Sequence, residues 1–290
     1  MRCHRSQQVV SLDKFAQDRE SILGLRAMNK VSLKIEQFYR HGLLVCAVVV
    51  CQLATPAEAR RFDMKSERFA TYFGASGGAT LMSDYAYGQA AGTGVTTDQV
   101  VPYNLSGEFG VVFSGEAAAL RLAAEYVIGK TMTGVKGLNS AGVQYFEVDS
   151  KIGAFIPTVG LEAPLLKWTD TRIVLGAGIG IAAVSLDQEY RMTAAGTAAL
   201  GVGNYIEKAS GSATVWRAYV GGETHLVDTT TMLCELGYRS LQVGSLQSTK
   251  DTTAITGAQT QGTTLLNSDG SARAFDLGGG YVSVLFRFYL

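Results

Sequence analysis

From residue 66 onward, apolar and polar positions alternate along much of the chain, and a period of two is typical of β-strands. Eight segments show this alternation, and most are ten residues or longer. Strands of soluble proteins average ~5–6 residues, whereas a tilted strand that crosses a membrane needs ~9–11. The pattern predicts an all-β fold of eight long antiparallel strands, with Pro102, Pro157 and Pro164 outside the strand interiors.

Each segment has one apolar face and one polar face, and the face that points outward decides the architecture. In residues 145–156 the apolar face includes Phe146, Val148 and Ile156, and the opposite face carries Glu147. A charge on the lipid face of a membrane barrel costs ~2–4 kcal/mol at the bilayer midplane. We therefore expect the apolar faces to contact lipid and the charged faces to line the barrel interior.

The connections between these segments alternate in length. Short turns at one end and long loops at the other are typical of up-and-down barrels in the bacterial outer membrane. The sequence thus predicts an up-and-down transmembrane β-barrel over residues 60–290, with both of its ends on the periplasmic side. The expected long loops cover residues 83–102, 131–142, 188–211 and 247–276.

The first 59 residues have a different pattern, which predicts an N-terminal extension followed by a signal peptide. The apolar run over residues 42–50 is shorter than the ~20 residues that a membrane-spanning helix needs. Ala57 and Ala59 form the small-x-small pattern that a signal peptidase reads, so cleavage is expected after Ala59. Residues 1–27 have no evident place in an export signal, and Met28 is the expected translation start.

Charge and composition exclude several classes of protein. The chain has 25 basic and 25 acidic residues, so it offers no electrostatic reason to expect a nucleic-acid partner. Cleavage after Ala59 would leave Cys234 without a partner for an intramolecular disulfide. His225 would be the one histidine left, and it cannot converge with Cys234 from the opposite strand face. We therefore expect neither a metal site nor a cofactor.

The predicted interior is crowded with charges. Eight strands enclose a space that side chains can just fill. Long side chains of opposite charge should pair there, because an unpaired buried charge is costly. We expect a closed, salt-bridged interior rather than an open pore. The predicted network consists of Arg68, Glu108, Arg121, Glu125, Glu147, Asp149, Lys151, Arg172, Arg217, Glu223, His225, Glu235, Arg239 and Arg287.

The last segment completes a resemblance to a known group. It runs from Tyr281 to Leu290 and is rich in aromatic residues, with Phe286, Phe288 and Leu290 on its apolar face. Together with the strand plan, it resembles the small eight-stranded outer-membrane barrels, such as the OmpA membrane domain, OmpX and OmpW. The resemblance covers residues 66–290. It implies that Phe286, Phe288 and Leu290 are read by the barrel-assembly machinery, although the family norm for the last residue is Phe. It also implies outer-membrane lipids and lipopolysaccharide as surroundings.

A soluble, lipocalin-like barrel is the competing architecture, and it would turn the apolar faces inward. Three short motifs also suggest chemistry. Residues 174–181 resemble a dinucleotide fingerprint, but Ile181 replaces the third glycine and the run lies in a strand pattern. Residues 267–270 fall far short of a calcium-binding loop. His225 could serve a lipid-modifying enzyme, but a structural histidine paired with Glu223 is the favoured interpretation. No catalytic residue, and no enzyme, is expected.

These observations predict a structural or surface-interaction barrel in the outer membrane, whose long loops meet a host, phage or cell-surface ligand. The alternative is a narrow, porin-like channel or carrier for small or apolar solutes. Glycines on the predicted inner face of the fifth segment and apolar residues near 194–202 favour that alternative. The fourth long loop, rich in Thr, Ser and Gly, is expected to be mobile and surface exposed.

Overall fold

Eight long strands form a closed barrel in the part of the chain that can be described. The computed structural model describes residues 62–290 apart from residues 64–65, 80–83, 89–94, 98–102 and 130–131. Each strand pairs antiparallel with the next, and the last pairs with the first, so the predicted eight-stranded up-and-down barrel is confirmed. The strands are β1 Phe69–Ala79, β2 Tyr103–Ser114, β3 Ala119–Gly129, β4 Gln144–Lys167, β5 Thr171–Met192, β6 Tyr205–Val227, β7 Thr230–Val243 and β8 Gly279–Tyr289.

Shorter elements lie in the long connections. Helix α1, Ala194–Leu200, begins where the Thr193 hydroxyl accepts the N–H of Gly196, and it ends at Gly201 in the left-handed conformation. No helix among the described residues is long and apolar enough to cross a membrane. The remaining short elements are a 3₁₀ helix at Asp84–Tyr87 and strands at Val95–Thr97, Met132–Asn139, Gln247–Ser248, Thr252–Ala254, Gly257–Gln259 and Phe275–Asp276.

The barrel wall is uneven in height. Strands β4, β5 and β6 have 24, 22 and 23 residues, whereas β1, β3 and β8 have 11 each. The third long loop is therefore shorter than expected, covering residues 193–204 instead of 188–211.

Strand β4 also corrects the expectation for the prolines, because Pro157 and Pro164 lie inside it. A proline removes one donor from the hydrogen-bond ladder. The pairing with β5 is interrupted between Phe155 and Thr158, and a register shift follows Pro164.

The outer face of the wall changes polarity with height, as β5 illustrates. In the half of β5 that begins at a short turn, Ile179 and Ile181 are 63% and 66% exposed. Farther along the same face, the exposed residues are Ser185, Asp187 and Glu189. We call the half with apolar outer residues the lower barrel and the half with polar outer residues the upper barrel.

The inner face of β5 changes in the opposite sense. Arg172 is buried in the lower barrel, whereas Val184, Leu186 and Tyr190 are buried in the upper barrel. These three belong to an apolar core that includes residues from β4, β6 and β7. The strands thus enclose charges at one end and an ordinary hydrophobic core at the other.

The fourth long connection covers the upper barrel. Its residues Leu246, Leu265, Phe275 and Leu277 are buried and belong to the same apolar core. The expectation of a surface-exposed loop over residues 247–276 was therefore wrong for Leu265 and Phe275. The Thr, Ser and Gly content of this segment favours an exposed loop, but its spaced apolar residues anchor it to the core of the upper barrel.

Candidate functional site

The lower barrel holds a buried ion-pair network centred on Arg121 of β3. Its guanidinium contacts Glu108 at 2.6 Å and Glu162 at 3.1 Å, and it also pairs with Glu235. Its Nε donates to the Tyr72 hydroxyl at 2.8 Å. The Arg121 side chain is only 1% exposed, so one buried cation contacts three buried carboxylates.

The network continues toward the short turns through Arg287 of β8. Its guanidinium contacts Glu162 at 2.6 Å and Glu223 at 3.0 Å. Glu223 also pairs with Arg172 at 2.7 Å. The Tyr289 hydroxyl donates to Glu223 at 2.8 Å, so this carboxylate is fully surrounded by donors.

Two further pairs lie toward the upper barrel. Arg217 contacts Glu108 at 2.6 Å and is thereby joined to Arg121. Arg239 contacts Glu125 at 2.6 Å, and the described hydrogen bonds do not link this pair to the others. We call the whole set the lower network. It balances five arginines against five glutamates: Arg121, Arg172, Arg217, Arg239 and Arg287, with Glu108, Glu125, Glu162, Glu223 and Glu235.

Tyrosine rings fill the space beside these ion pairs, and glycines make room for them. A Cβ atom at Gly176 would overlap the Tyr219 ring, and one at Gly237 would overlap the Tyr281 ring. The Tyr219 hydroxyl donates to Glu162 at 2.7 Å and so joins the lower network. The glycines inside β5 and β7 therefore serve packing, and no open lumen follows from them.

A second buried ion pair lies in the upper barrel. Arg273 of the fourth connection and Glu207 of β6 are both 1% exposed and form a salt bridge. Arg273 also donates to Gln188 at 3.4 Å. Nearby, the Tyr190 hydroxyl donates to the Tyr87 carbonyl at 3.0 Å, and burial raises the pKa of Tyr190 well above its usual value. This ion pair ties the connection to the inner wall.

The structure brings nine of the fourteen predicted network residues together in the lower barrel. Each of these nine is buried and forms at least one ion pair with another member. They are Glu108, Arg121, Glu125, Arg172, Arg217, Glu223, Glu235, Arg239 and Arg287.

Four predicted members lie elsewhere, and the expectation was wrong for them. Glu147 and Asp149 contact Arg191 at 2.7 Å each on the outer face of the upper barrel, and Lys151 is exposed on the same face. The apolar face of β4, with Phe146 and its neighbours, points inward at this height and forces the charges outward. The fourth is Arg68, whose side chain is 58% exposed and lies 3.8 Å from Glu116.

His225 also departs from its predicted role. Its ring stacks on Phe62 with centroids 4.6 Å apart, and its Nε2 lies 2.8 Å from the Asp228 carbonyl oxygen. Glu223, its expected partner, instead contacts arginines. His225 therefore lies at the rim of the lower barrel, in contact with a ring rather than an acid.

Sequence reasoning missed Glu162, Glu207 and Arg273. Glu162 lies beyond the predicted segment over residues 145–156, whereas β4 extends to Lys167 and carries Glu162 on the same face as Phe146 and Ile156. A charged residue on an otherwise apolar face was the available signal that this face points inward. Glu207 and Arg273 are far apart in sequence, and no local pattern links them.

The remaining predictions concern export, assembly and metals. The signal-peptide residues Ala57 and Ala59 and the expected start Met28 lie outside the described residues. Phe286 and Phe288 occupy the outer side of the last strand, and Phe288 stacks on Phe73 with centroids 5.5 Å apart. Leu290 directly follows this strand and is exposed. Their role as an assembly signal stays a prediction. Within the described ranges, no group of His, Cys, Asp and Glu could hold a metal ion.

Comparison with known proteins gives similarity at the level of architecture. No protein-family model matches the sequence, and no curated protein matches it. Neisserial surface protein A is 10% identical with a TM-score of 0.39, over 77% of this chain and 96% of that one. The outer membrane protein OprG from Pseudomonas aeruginosa is 12% identical with a TM-score of 0.40, over 78% and 97%.

A major outer membrane protein from Thermus thermophilus is 11% identical with a TM-score of 0.41, over 76% of this chain and 99% of that one. Identities and TM-scores this low transfer no function from these proteins to this chain.

Proposed function

We propose that this chain is an outer-membrane β-barrel with a closed interior, which presents its upper barrel and loops as a surface for recognition. The outer face of the lower barrel supports a location in the membrane. This face exposes large apolar side chains around the ring, including Phe109, Leu161, Ile179, Leu236 and Val282. Exposing a ring of apolar side chains to water is unfavourable, whereas lipid can cover them.

The lower network is the single observation that best supports a closed interior. Five arginines, five glutamates and several tyrosines occupy the inside of an eight-stranded barrel, which has little room beyond its side chains. Above it, the apolar core and the buried Arg273–Glu207 pair fill the upper barrel. A solute would have to disrupt both layers, so transport is the less favoured function.

The surface role follows from the polarity of the upper barrel. Its wall exposes alternating polar and charged residues, such as Asp187, Glu189 and Lys208, on β-strands that continue beyond the apolar ring. The backbone of paired strands is held in position, so a ligand that binds there does not first have to order a loop. The proposed partner is a cell-surface, host or phage component.

Two measurements test this proposal. Gel mobility of the outer-membrane fraction should differ between unboiled and boiled samples, because a closed barrel has no free strand edge and resists detergent until heated. Purified protein in planar bilayers should give no sustained conductance. A soluble periplasmic protein without a mobility shift would contradict the membrane location, and a steady single-channel current would contradict the closed interior.

Catalysis is not part of the proposal. His225 contacts a phenyl ring and a backbone carbonyl, which does not position it as an acid–base group. Lipid composition should therefore be the same in strains with wild-type protein and with His225→Ala. A changed lipid A pattern in the variant strain would favour a lipid-modifying enzyme instead.

A further inference from the structure

At the top of the lower network, two arginines face each other across neighbouring strands. Arg217 of β6 and Arg239 of β7 are direct register partners, and both side chains point into the barrel. Like charges directly opposite in a sheet repel each other. The next inward pair above them, Val215 and Leu241, is apolar and belongs to the upper core. The two arginines therefore lie at the boundary between the charged and the apolar interior.

A small cavity lies at this boundary. Its volume is about 10 Å³, which is close to the space that one water molecule requires. Its lining includes both arginines, their partners Glu108 and Glu125, and Tyr281 of β8. Both members of the Arg239–Glu125 pair and both members of the Arg217–Glu108 pair thus border the cavity.

Three polar atoms of the lining residues are buried without a partner. They are the Nε atoms of Arg217 and Arg239 and the hydroxyl of Tyr281. Each arginine contacts its glutamate through the Nη atoms alone. The Tyr281 side chain is about nine-tenths buried, with 9% relative exposure for the residue. A buried polar group without a hydrogen bond is costly, and such groups in native proteins are usually satisfied by ordered water.

We propose that this cavity is a binding site for one water molecule, which joins the Arg239–Glu125 pair to the rest of the lower network. The water accepts hydrogen bonds from the Tyr281 hydroxyl and from an arginine Nε, and it donates to the carboxylates of Glu108 and Glu125. A halide ion is disfavoured because Glu108 and Glu125 line the same cavity. The site is polar below and apolar above, so the water marks the end of the polar interior.

A substitution that removes the Tyr281 hydroxyl tests the site, because the sign of the resulting change in thermal stability depends on whether the hydroxyl has a partner. The variant Tyr281→Phe removes the hydroxyl alone, and Tyr238→Phe is the matched control, because Tyr238 lies half exposed on the outer face. If the hydroxyl binds the water, Tyr281→Phe should lower the midpoint temperature of the unboiled-to-boiled gel shift by about 2–4 °C relative to the control. An unchanged or raised midpoint would mean that the hydroxyl has no partner, and it would overturn the proposal.

A second measurement identifies the occupant directly. A crystal structure of the wild-type chain at about 1.5 Å resolution should show one density peak within 3.2 Å of the Tyr281 hydroxyl oxygen. The same crystal soaked in sodium bromide should show no anomalous peak there. A cavity without density would overturn the proposal, and a bromide peak would replace the water by an anion.

Discussion

The lower and upper barrels are built from the same strands, yet they distribute polarity in opposite ways. On β5, Ile179 faces outward and Arg172 inward in the lower barrel, whereas Asp187 faces outward and Leu186 inward in the upper barrel. The backbone pairing between β5 and β6 continues through both halves without a register shift. The difference therefore lies in the solvent around each half, and the sheet itself accommodates either arrangement.

The comparison also indicates why the lower interior contains ion pairs at all. Buried salt bridges add little net stability over a well-packed apolar interior, because both ions must be desolvated. An apolar interior in the lower barrel would, however, make the membrane part of each strand apolar on both faces. The alternation of apolar and polar residues that is typical of a membrane strand would then be lost.

The largest expected effect is the loss of the central cation of the lower network. Arg121→Met leaves Glu108, Glu162 and Glu235 with fewer counter-charges, and removing one partner of a buried pair typically costs ~3–5 kcal/mol. Most of the variant should therefore fail to reach the heat-modifiable form, as measured by the unboiled gel band and by urea unfolding.

The matched control is Arg191→Met on the outer face of the upper barrel. Arg191 also pairs with three carboxylates, those of Glu147, Asp149 and Glu189, but its side chain is 42% exposed, so water replaces the lost contacts. Its folded fraction should equal that of the wild type. An equal loss of folded protein in the two variants would show that the burial of an arginine does not determine how much its ion pairs contribute to folding.

A substitution scan along the outer face of β5 sharpens the boundary between the halves. Ile179→Arg places a cation on the apolar ring and should cost ~2–4 kcal/mol at the bilayer midplane. Ser185→Arg, six residues farther on the same face and opposite the uncharged Gly153 and Ser210, should change the free energy of unfolding by no more than ~0.5 kcal/mol. Urea unfolding in lipid vesicles measures both, and similar costs at the two positions would place the lipid boundary above Ser185.

Period-two alternation alone predicted the eight strands and the closed barrel. It could not predict the polarity reversal, because alternation does not tell which face of a strand points inward. Phe146 and Glu147 were assigned to the wrong faces for this reason, since the rule that turns apolar faces toward lipid was applied to residues 145–156 as to every other segment. Glu162 was missed because the predicted segment ended at residue 156, whereas β4 continues to Lys167.

The upper ion pair was beyond sequence reasoning for a different reason. Arg273 lies in a connection rich in Thr, Ser and Gly, and its partner Glu207 is 66 residues earlier. Such a contact depends on the tertiary path of the connection, which composition does not determine. His225 shows the converse error, because adjacency to Glu223 on a strand suggested a pairing that the arginines prevent.

The smallest expected effect concerns pH and the outer face of the upper barrel. The hydrogen bond from Arg191, supported by the backbone N–H of Gly134, holds the pKa of Asp149 below its usual value. A carboxyl whose pKa is lower in the folded state stabilises the fold above its unfolded pKa of ~3.9, and this contribution is lost as the pH falls through the folded value. Asp149→Asn should therefore lower the unfolding midpoint by about 1–2 °C at pH 7. The two proteins should converge as the pH drops below ~3.9. A difference that persists in acid would mean that Asp149 acts through packing rather than charge. The ion pairs on the outer face of the upper barrel would then contribute less to stability than their contacts indicate.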